Sequence, residues 1–287
     1  MGNTVDRDTI EKKPVKAGGQ ALADGVLMRT ERAWAIARAD GSVEVGEVPP
    51  VRFNKVPVLR VVLGLGAALK LGVVRGVLRK GDPDRPDVKR SRRVNMRFLQ
   101  AALLGEVAVM VLSRWLSHGG APAWLDRATG ILPWLVVLIV LRVATPASLW
   151  RFHGSEHKAV TAHEQGVDLS DTGAVLACSR IHNRCGTNLV FLMGVASYFV
   201  TRVPAVIEAP AFLVMLGVSV ETLSLASRRP RFVLSRILLA GGMFLQRFVT
   251  TREPTAEEQE IGGRALRAAL IEHERLEANG SLVAVAA

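Results

Sequence analysis

Two histidines and a glutamate stand close together in the stretch WRFHGSEHKAV, which runs from Trp150 to Val160. If residues 151–165 form a helix, His153 and His157 lie one turn apart on one face, with Glu156 beside them. This H-x-x-E-H spacing is the inverse of the H-E-x-x-H motif of zinc hydrolases. In both orders two imidazoles can bind Zn²⁺, while the neighbouring carboxylate can accept a proton from the attacking water. We therefore predict that His153 and His157 bind a divalent metal, zinc, and that Glu156 is catalytic.

A metal held by two histidines needs further ligands, and on its own the pattern is also compatible with a polar helix at a membrane surface. Glu164 lies seven residues after His157, a rise of about 10 Å along a helix, which is too far for the same ion. The stretch SRIHNRCGTNL offers His182 and Cys185 with the H-x-x-C spacing of a chelating turn. We predict that both are metal ligands.

Two further residues, Glu221 and Cys178, have side chains that can bind a metal. Glu221 lies near the cytoplasmic end of a predicted span, and its carboxylate either faces the histidine loop as a metal ligand or turns toward lipid headgroups. Cys178 is the second of only two cysteines and belongs to no ligand pattern. We predict that Cys178 is a small buried residue.

The composition favours an integral membrane protein. The 287 residues have a positive mean hydropathy although 37 of them are Lys or Arg, and the formal net charge is +11. Aromatic residues make up only 5% of the chain, and most basic residues flank apolar runs rather than alternate with aromatics. We therefore expect the lipid bilayer as a partner and no nucleic acid. The N-terminal stretch MGNTVDRDTIEKKPVK lacks the apolar core of a signal peptide.

Apolar runs predict where the chain crosses the membrane. Four runs approach the roughly 20 residues that cross ~30 Å of hydrocarbon; they are residues 98–116, 131–150, 187–203 and 205–226. The apolar run 58–78 carries three basic residues and predicts an in-plane or re-entrant helix, whereas 232–248 predicts an interfacial or half-inserted helix.

The distribution of basic residues predicts the topology. Lys and Arg are abundant before the first span, in 151–186 and in 227–236, whereas the connection 117–130 contains one Arg. The positive-inside rule then places both termini and the histidine loop in the cytoplasm. Glu106 and Arg142 each lie about 12 Å inside the first and second spans, so we predict that they form an ion pair. That pair either holds the two helices in register or belongs to a proton or ion pathway.

The two ends of the chain predict soluble structure. Residues 18–50 alternate apolar and polar positions around the turn ADGS, which predicts a small antiparallel sheet. The GGQ at 18–20 predicts a turn whose glycines adopt positive φ. Thr255 is a candidate N-cap for a helix over 255–277.

The predicted fold is therefore a mainly α polytopic membrane protein with about four transmembrane helices, one or two interfacial or re-entrant helices and a small N-terminal antiparallel β element. Its predicted segments are a cytoplasmic β-rich segment (1–57), an interfacial helix and basic linker (58–97), a transmembrane hairpin (98–150), a cytoplasmic His/Cys loop (151–186), a second transmembrane hairpin (187–226), and an interfacial helix followed by a cytoplasmic helix (227–287).

Four motifs give the chain a family resemblance. They are GGQALADGVLMR at 18–29, HGSEHK at 153–158, HNRCGT at 182–187 and LQRFVTTREP at 245–254. Together they resemble the DUF1385 family, also called the YqhQ-like membrane proteins, which are described as predicted metal-dependent enzymes without a defined reaction. The resemblance implies that His153, Glu156, His157, His182 and Cys185 form the metal and catalytic set, and it supplies no substrate.

The chain departs from the family pattern at two positions. Asp24 stands where the first motif has a glutamate, which keeps the charge but shortens its reach. Ser155 replaces an alanine in the second motif, a change between small residues that faces away from the predicted ligands.

Three hypotheses for function follow. The first is a metal-dependent hydrolase at the cytoplasmic membrane face, in which Glu156 activates water against a membrane-associated peptide or lipid. The second is a scaffold or membrane-biogenesis factor, whose metal is structural and has all four positions closed by protein. The third is a transporter that uses Glu106, Arg142 and Glu221, although the sequence contains no inverted repeat of the kind common in transporters. The sequence predicts no oligomeric state.

Overall fold

A computed structural model describes residues 14–49, 132–200 and 205–285, together with scattered positions between 64 and 122. The described chain is mainly helical and contains one four-stranded sheet. Most of the predicted in-plane helix 58–78, the basic linker and Glu106 lie outside the described residues. The predicted pairing of Glu106 with Arg142 therefore stays a prediction. Arg142 itself has its guanidinium 5.9 Å from the ring centre of Trp150.

The predicted N-terminal sheet is confirmed. Its strands are β1 (Gly18–Leu22), β2 (Gly25–Arg29), β3 (Ala33–Arg38) and β4 (Val43–Glu47). They pair antiparallel in the order β1-β2-β3-β4, so β1 is an edge strand. The turn between β3 and β4 is the predicted ADGS turn, where Gly41 has φ 87° and the Asp40 carboxylate accepts the Ser42 amide at 3.0 Å. Positive φ explains the glycine at this position.

The prediction of a positive-φ turn at GGQ was wrong. Gly18 and Gly19 belong to β1, and the glycines with positive φ in the described chain are Gly41 and Gly166. Close approach explains Gly19 instead, because an added Cβ would overlap Leu27 O of β2 and would lie 2.9 Å from Met28 Sδ and 3.1 Å from Glu156 Cγ. Glycine therefore lets β1 lie close both to β2 and to the helix that carries the predicted catalytic carboxylate.

Seven α-helices lie within the continuously described ranges 132–200 and 205–285. They are α1 (Leu132–Ala144), α2 (Ala147–Glu164), α3 (Thr172–Ala177), α4 (Gly186–Val200), α5 (Ala205–Arg228), α6 (Val233–Leu245) and α7 (Ala256–Val285). A π-helical turn, Gln246–Thr250, continues α6. The predicted span 131–150 is not one continuous helix: α1 ends at Ala144, and Pro146 caps α2 with φ −67° and ψ 151°. Proline disfavours the helical conformation of the preceding residue, so the chain changes helix there.

Two stretches of the described chain are long and apolar enough to cross a membrane, Pro210–Arg228 and Val233–Thr250. A shorter apolar helix covers Gly186–Ser197. The helices α4, α5 and α6 pack against one another, and they expose large apolar side chains such as Val218, Ile237 and Phe244. This supports membrane association, while the four-span topology stays a prediction.

The C-terminal helix α7 joins the sheet to α2. Thr255 caps it as predicted: its hydroxyl accepts the Glu258 amide at 3.2 Å, and the Glu258 carboxylate accepts the Thr255 amide at 3.0 Å. The helix packs against α2, β2 and β3. Ser155 of α2 is fully buried against this helix and donates to Glu258 O at 2.8 Å, which confirms that it faces away from the histidines.

Candidate metal centre

Three of the predicted ligands converge. The donor atoms of His153, His157 and Cys185 all lie within 4.8 Å of one another. The predicted helix over 151–165 is confirmed by α2, and it places the two imidazole rings 4.5 Å apart, centre to centre. Cys185, directly before α4, has its Sγ 3.4 Å from His153 Nε2. This group of side chains could hold a metal ion.

The hydrogen bonds of the two histidines suit metal binding. His153 Nδ1 lies 2.6 Å from Thr250 O, and His157 Nδ1 lies 2.6 Å from Arg180 O. Because a carbonyl oxygen only accepts, each Nδ1 carries the proton, and in the neutral ring each Nε2 keeps its lone pair for a metal. Such partners fix the orientation of metal-binding histidines. Burial lowers the pKa of His157, and a neutral ring is the form that binds a metal.

The donor set fits a divalent transition metal. Two imidazole nitrogens and a thiolate are the ligands that zinc and copper sites use. Cys185 Sγ accepts the Thr187 amide at 3.3 Å and lies 3.3 Å from the Thr187 hydroxyl. That hydroxyl lies in turn 2.9 Å from Thr250 Oγ1, so the start of α4 is tied to the π-helical turn that holds His153.

Glu156 lies beside the three ligands and is only 7% exposed. Burial raises the pKa of its carboxyl, and the nearby His153 and His182 and a hydrogen bond from the Gly19 amide offset part of this increase. Gly19 of β1 therefore lies against this carboxyl, and β1 forms part of the site.

His182 and Glu221 are not among the converging groups. His182 Nε2 lies 3.1 Å from Glu164 Oε2, and its Nδ1 accepts the Arg184 amide at 3.3 Å. Both of its ring nitrogens therefore have partners, although its ring centre is only 5.9 Å from that of His157. Glu221 lies on α5 and is not among the residues that line the cavity described below. Their roles as metal ligands stay predictions.

The other two singled-out residues have structural partners. Asp24, in the turn between β1 and β2, accepts hydrogen bonds from the guanidinium of buried Arg38 at 3.1 and 3.3 Å. Cys178 is half-buried rather than buried, and its Sγ lies 3.5 Å from Ala174 O. Neither lies among the metal-binding groups.

The sequence did not identify the residues that support the site. Gln246, within the predicted interfacial run, is fully buried: its Oε1 accepts the His182 amide at 2.8 Å, and its Nε2 donates to His182 O at 3.0 Å. Arg180 donates to Thr251 Oγ1 at 2.5 Å and to Arg247 O at 3.2 Å. For Gln246, the sequence signal of such a role is a polar side chain within an apolar run.

A buried lysine follows the motif directly. Lys158 Nζ donates to Leu176 O at 2.7 Å and Cys178 O at 2.8 Å, and it pairs with Glu253 at 3.0 Å. Arg180 pairs with the same carboxylate at 2.8 Å. Burial raises the pKa of Glu253, but the hydrogen bonds from the two cations outweigh it and hold that pKa below its ordinary value. The last residue of HGSEHK thus attaches α2 to the segment that contains Arg180.

The metal-binding group forms one wall of a cavity of about 560 Å³. Strand β1 contributes another wall, from Gly18 to Leu22. The remaining walls are largely apolar, formed by Leu138, Leu149, Trp150, Val160 and Val190. The cavity is large enough for part of a substrate beside the metal-binding group.

Gly154 provides a test of how closely α2 packs against the segment after the π-helical turn. An added Cβ would overlap Arg252 O and lie 3.5 Å from Pro254 Cδ. We expect Gly154→Ala to lower the free energy of unfolding by about 1–3 kcal/mol, because the overlap outweighs the gain in helix propensity. Thermal unfolding of the purified protein measures this. Gly194→Ala is the control, since its Cβ would meet Trp134 at an ordinary 3.5 Å; equal unfolding temperatures for the two variants would contradict the expectation.

The fold and the site define a mainly helical protein with a small antiparallel sheet and a His/Cys group that could hold a metal ion. The chain belongs to the DUF1385 family: the family model described as "Protein of unknown function (DUF1385)" matches residues 101–272, more than half of the chain. The match contains HGSEHK, HNRCGT and LQRFVTTREP, whereas the GGQALADGVLMR stretch precedes it. Comparison with curated proteins and with solved structures gave no match.

Proposed function

We propose that this protein is a metal-dependent hydrolase, with zinc held by His153, His157 and Cys185 and with Glu156 as the general base. One observation carries the proposal: three donor atoms lie within 4.8 Å of one another on the wall of a cavity that Glu156 also lines. Three protein ligands leave one coordination position open, which is the pattern of catalytic rather than structural zinc.

In the proposed hydrolysis, Glu156 transfers the proton and other residues hold Glu156 and the metal ligands in position. Zinc, when bound, supplies a Lewis acid that activates water and polarises a carbonyl oxygen. The Glu156 carboxylate accepts a proton from the attacking water and returns it to the leaving group, so that the water's OH and H end on the two products. The Gly19 amide holds this carboxylate in place, and Thr250 O and Arg180 O hold the two imidazoles.

The position of the site favours a substrate at the membrane. Helix α4 begins directly after Cys185, and the apolar stretch Val233–Thr250 ends at the carbonyl that holds His153. Basic residues in 151–186 and 227–236 support a cytoplasmic location for this end of the helices. The proposed substrate is therefore associated with the cytoplasmic membrane face.

A structural metal site is the second candidate. The observation in its favour is His182, whose ring centre lies 5.9 Å from that of His157. A change of its side-chain rotamer that broke the contact with Glu164 would supply a fourth ligand and close the site. The transporter hypothesis depends on Glu106, which lies outside the described residues.

Metal content tests the proposal. We expect the full-length, detergent-purified protein to contain about one zinc ion per chain by elemental analysis, and Cys185→Ser and His157→Ala to contain less than about a tenth of that. Cys178→Ser is the matched control, because this thiol lies outside the metal-binding group, and we expect it to keep its zinc. Wild-type protein without stoichiometric metal would overturn the proposal. X-ray absorption then separates the two candidates, since three protein ligands indicate a hydrolase and four a structural site.

A further inference from the structure

The edge of β1 that does not pair with β2 faces the candidate site. Thr30 N–H donates to Ala33 O and Ala39 N–H donates to Asp24 O, both at 2.8 Å. The even-numbered residues of β2 therefore bond to β3. Because hydrogen-bonding direction alternates along a strand, the residues of β2 that bond to β1 are 25, 27 and 29. Their partners in the register are Leu22, Gln20 and Gly18. The backbone groups of Gly19 and Ala21 therefore point away from the sheet.

Side chains of the neighbouring elements confirm this direction. Ser148 donates to Ala23 O at 3.5 Å, and Arg184 donates to Ala17 O at 3.3 Å. The Gly19 amide donates to Glu156 between them. Every second residue of this segment therefore presents its backbone to α2 and the loop that follows Cys178.

Three outward groups lie between these contacts. Within the part of the chain that the structure describes, Gly19 C=O, Ala21 N–H and Ala21 C=O accept or donate no hydrogen bond. Gly19 and Ala21 line the cavity that contains the metal-binding group. An edge strand with unpaired groups is a template for an added strand, and here that template lies next to Glu156.

We propose that the substrate is an extended apolar peptide segment that binds as a fifth strand along the edge of β1 that does not pair with β2, at the outward groups of Gly19 and Ala21. This inference rests on the proposed hydrolase function and names its substrate class. A peptide residue opposite Ala21 exchanges two backbone hydrogen bonds with it, and the Gly19 carbonyl accepts the amide two residues further along. The peptide bond near Gly19 then lies beside Glu156, where water adds to the carbonyl carbon and the C–N bond breaks, the amine taking a proton.

The chemistry of the edge favours a peptide over a lipid. The backbone of an extended peptide carries donors and acceptors at the spacing of the outward groups of Gly19 and Ala21. An acyl chain in the same place would leave these backbone groups of β1 without hydrogen bonds. The apolar walls formed by Leu138, Leu149 and Val190 suit the side chains of an apolar segment. Main-chain bonds would supply affinity and these walls would supply specificity.

An N-methyl scan of a peptide tests the inference without altering the protein. The probe is Ac-Lys-Ser-Val-Leu-Ala-Val-Ser-Lys(fluorescein)-NH₂, and its binding to the full-length protein is measured by fluorescence anisotropy, once in EDTA and once with zinc. We expect methylation of alternate amides to weaken binding about tenfold and methylation of the intervening amides to change it less than about twofold. Binding without this period of two would overturn the inference.

Two variants provide the complementary test. Ala21→Pro removes an outward N–H and no bond between β1 and β2, so it should keep the fold. We expect it to weaken binding of the unmodified peptide about tenfold, whereas Ala21→Ser keeps the amide and should bind within about twofold of wild type. Unchanged peptide affinity in Ala21→Pro would overturn the inference. It would also be overturned if the peptide did not bind while lysophosphatidylcholine protected the Ala21 amide from hydrogen exchange, because the ligand would then be a lipid.

The two proposals fail in different ways. If the protein takes up no zinc but binds the peptide in EDTA with the alternating effect of N-methylation, the peptide site is supported and the hydrolase proposal is overturned. If the protein contains stoichiometric zinc but N-methylation has no alternating effect on peptide binding, the metal site is supported and the peptide is overturned as its substrate.

Discussion

The Glu156→Gln variant is expected to lose hydrolytic activity by about 10²–10⁴-fold while it keeps its zinc. Glutamine has nearly the same shape, and its amide oxygen can still accept the hydrogen bond from the Gly19 amide. It cannot accept a proton from water at neutral pH. The loss should therefore fall on the chemical step, with little change in metal content or unfolding temperature.

The measurement is kcat/KM on a fluorescence-quenched library of extended apolar peptides, with zinc content determined on the same samples. Glu260→Gln is the matched control, because Glu260 lies on α7 and pairs with Arg267 at 2.7 Å, outside the cavity. We expect the control to keep wild-type activity. A Glu156→Gln protein that held zinc and kept more than about a tenth of wild-type activity would exclude Glu156 as the base.

The Arg180→Met variant is expected to weaken zinc binding about 10–100-fold without removing any ligand. The Arg180 carbonyl holds His157, and its guanidinium donates to Thr251 Oγ1, adjacent to the Thr250 carbonyl that holds His153. One side chain thus connects the segments that orient both imidazoles. Its loss also leaves Glu253 with one cation fewer and the Arg247 carbonyl without this donor, so the free energy of unfolding should fall by about 2–4 kcal/mol.

Competition with a chromophoric zinc chelator measures the affinity, and thermal unfolding measures the stability. Arg247→Met is the control, since Arg247 belongs to the same π-helical turn and its guanidinium lies 5.8 Å from the ring centre of Phe248. Equal zinc affinities for the Arg180 and Arg247 variants would show that the connection does not position the histidines.

The features predicted from the sequence are those that a few neighbouring residues determine. The spacing of His153 and His157 follows from the helical period, and the cap at Thr255 depends on Glu258 three residues later. The pairing of β3 with β4 across the turn at Gly41 is equally local. Cys185 required one step more, since its place depends on the chain returning to the start of α4.

The features that the sequence did not predict are contacts between distant segments. The acceptors for both histidines are backbone carbonyls, at Arg180 and Thr250, and a carbonyl leaves no mark in the residue type. Gly19 showed a similar ambiguity, because a glycine needed for close approach to Glu156 looks the same in sequence as one needed for a turn. Gln246 lies in the run 232–248, for which the sequence predicts an interfacial or half-inserted helix, and in the structure its amide bonds to the backbone of His182.

Because of the π-helical turn, the orientation of the Thr250 carbonyl, which holds His153, depends on the number of residues before it. Thr251 N–H bonds to Gln246 O, five residues back, rather than to a residue four back as in an α-helix. Deleting one residue between 246 and 250 would restore the α-helical repeat and rotate the following carbonyls by about 100° around the axis. His153 would then lose its acceptor although every ligand remained. An insertion or deletion at this turn would therefore misorient the candidate metal site even in a chain that kept both histidines and the cysteine.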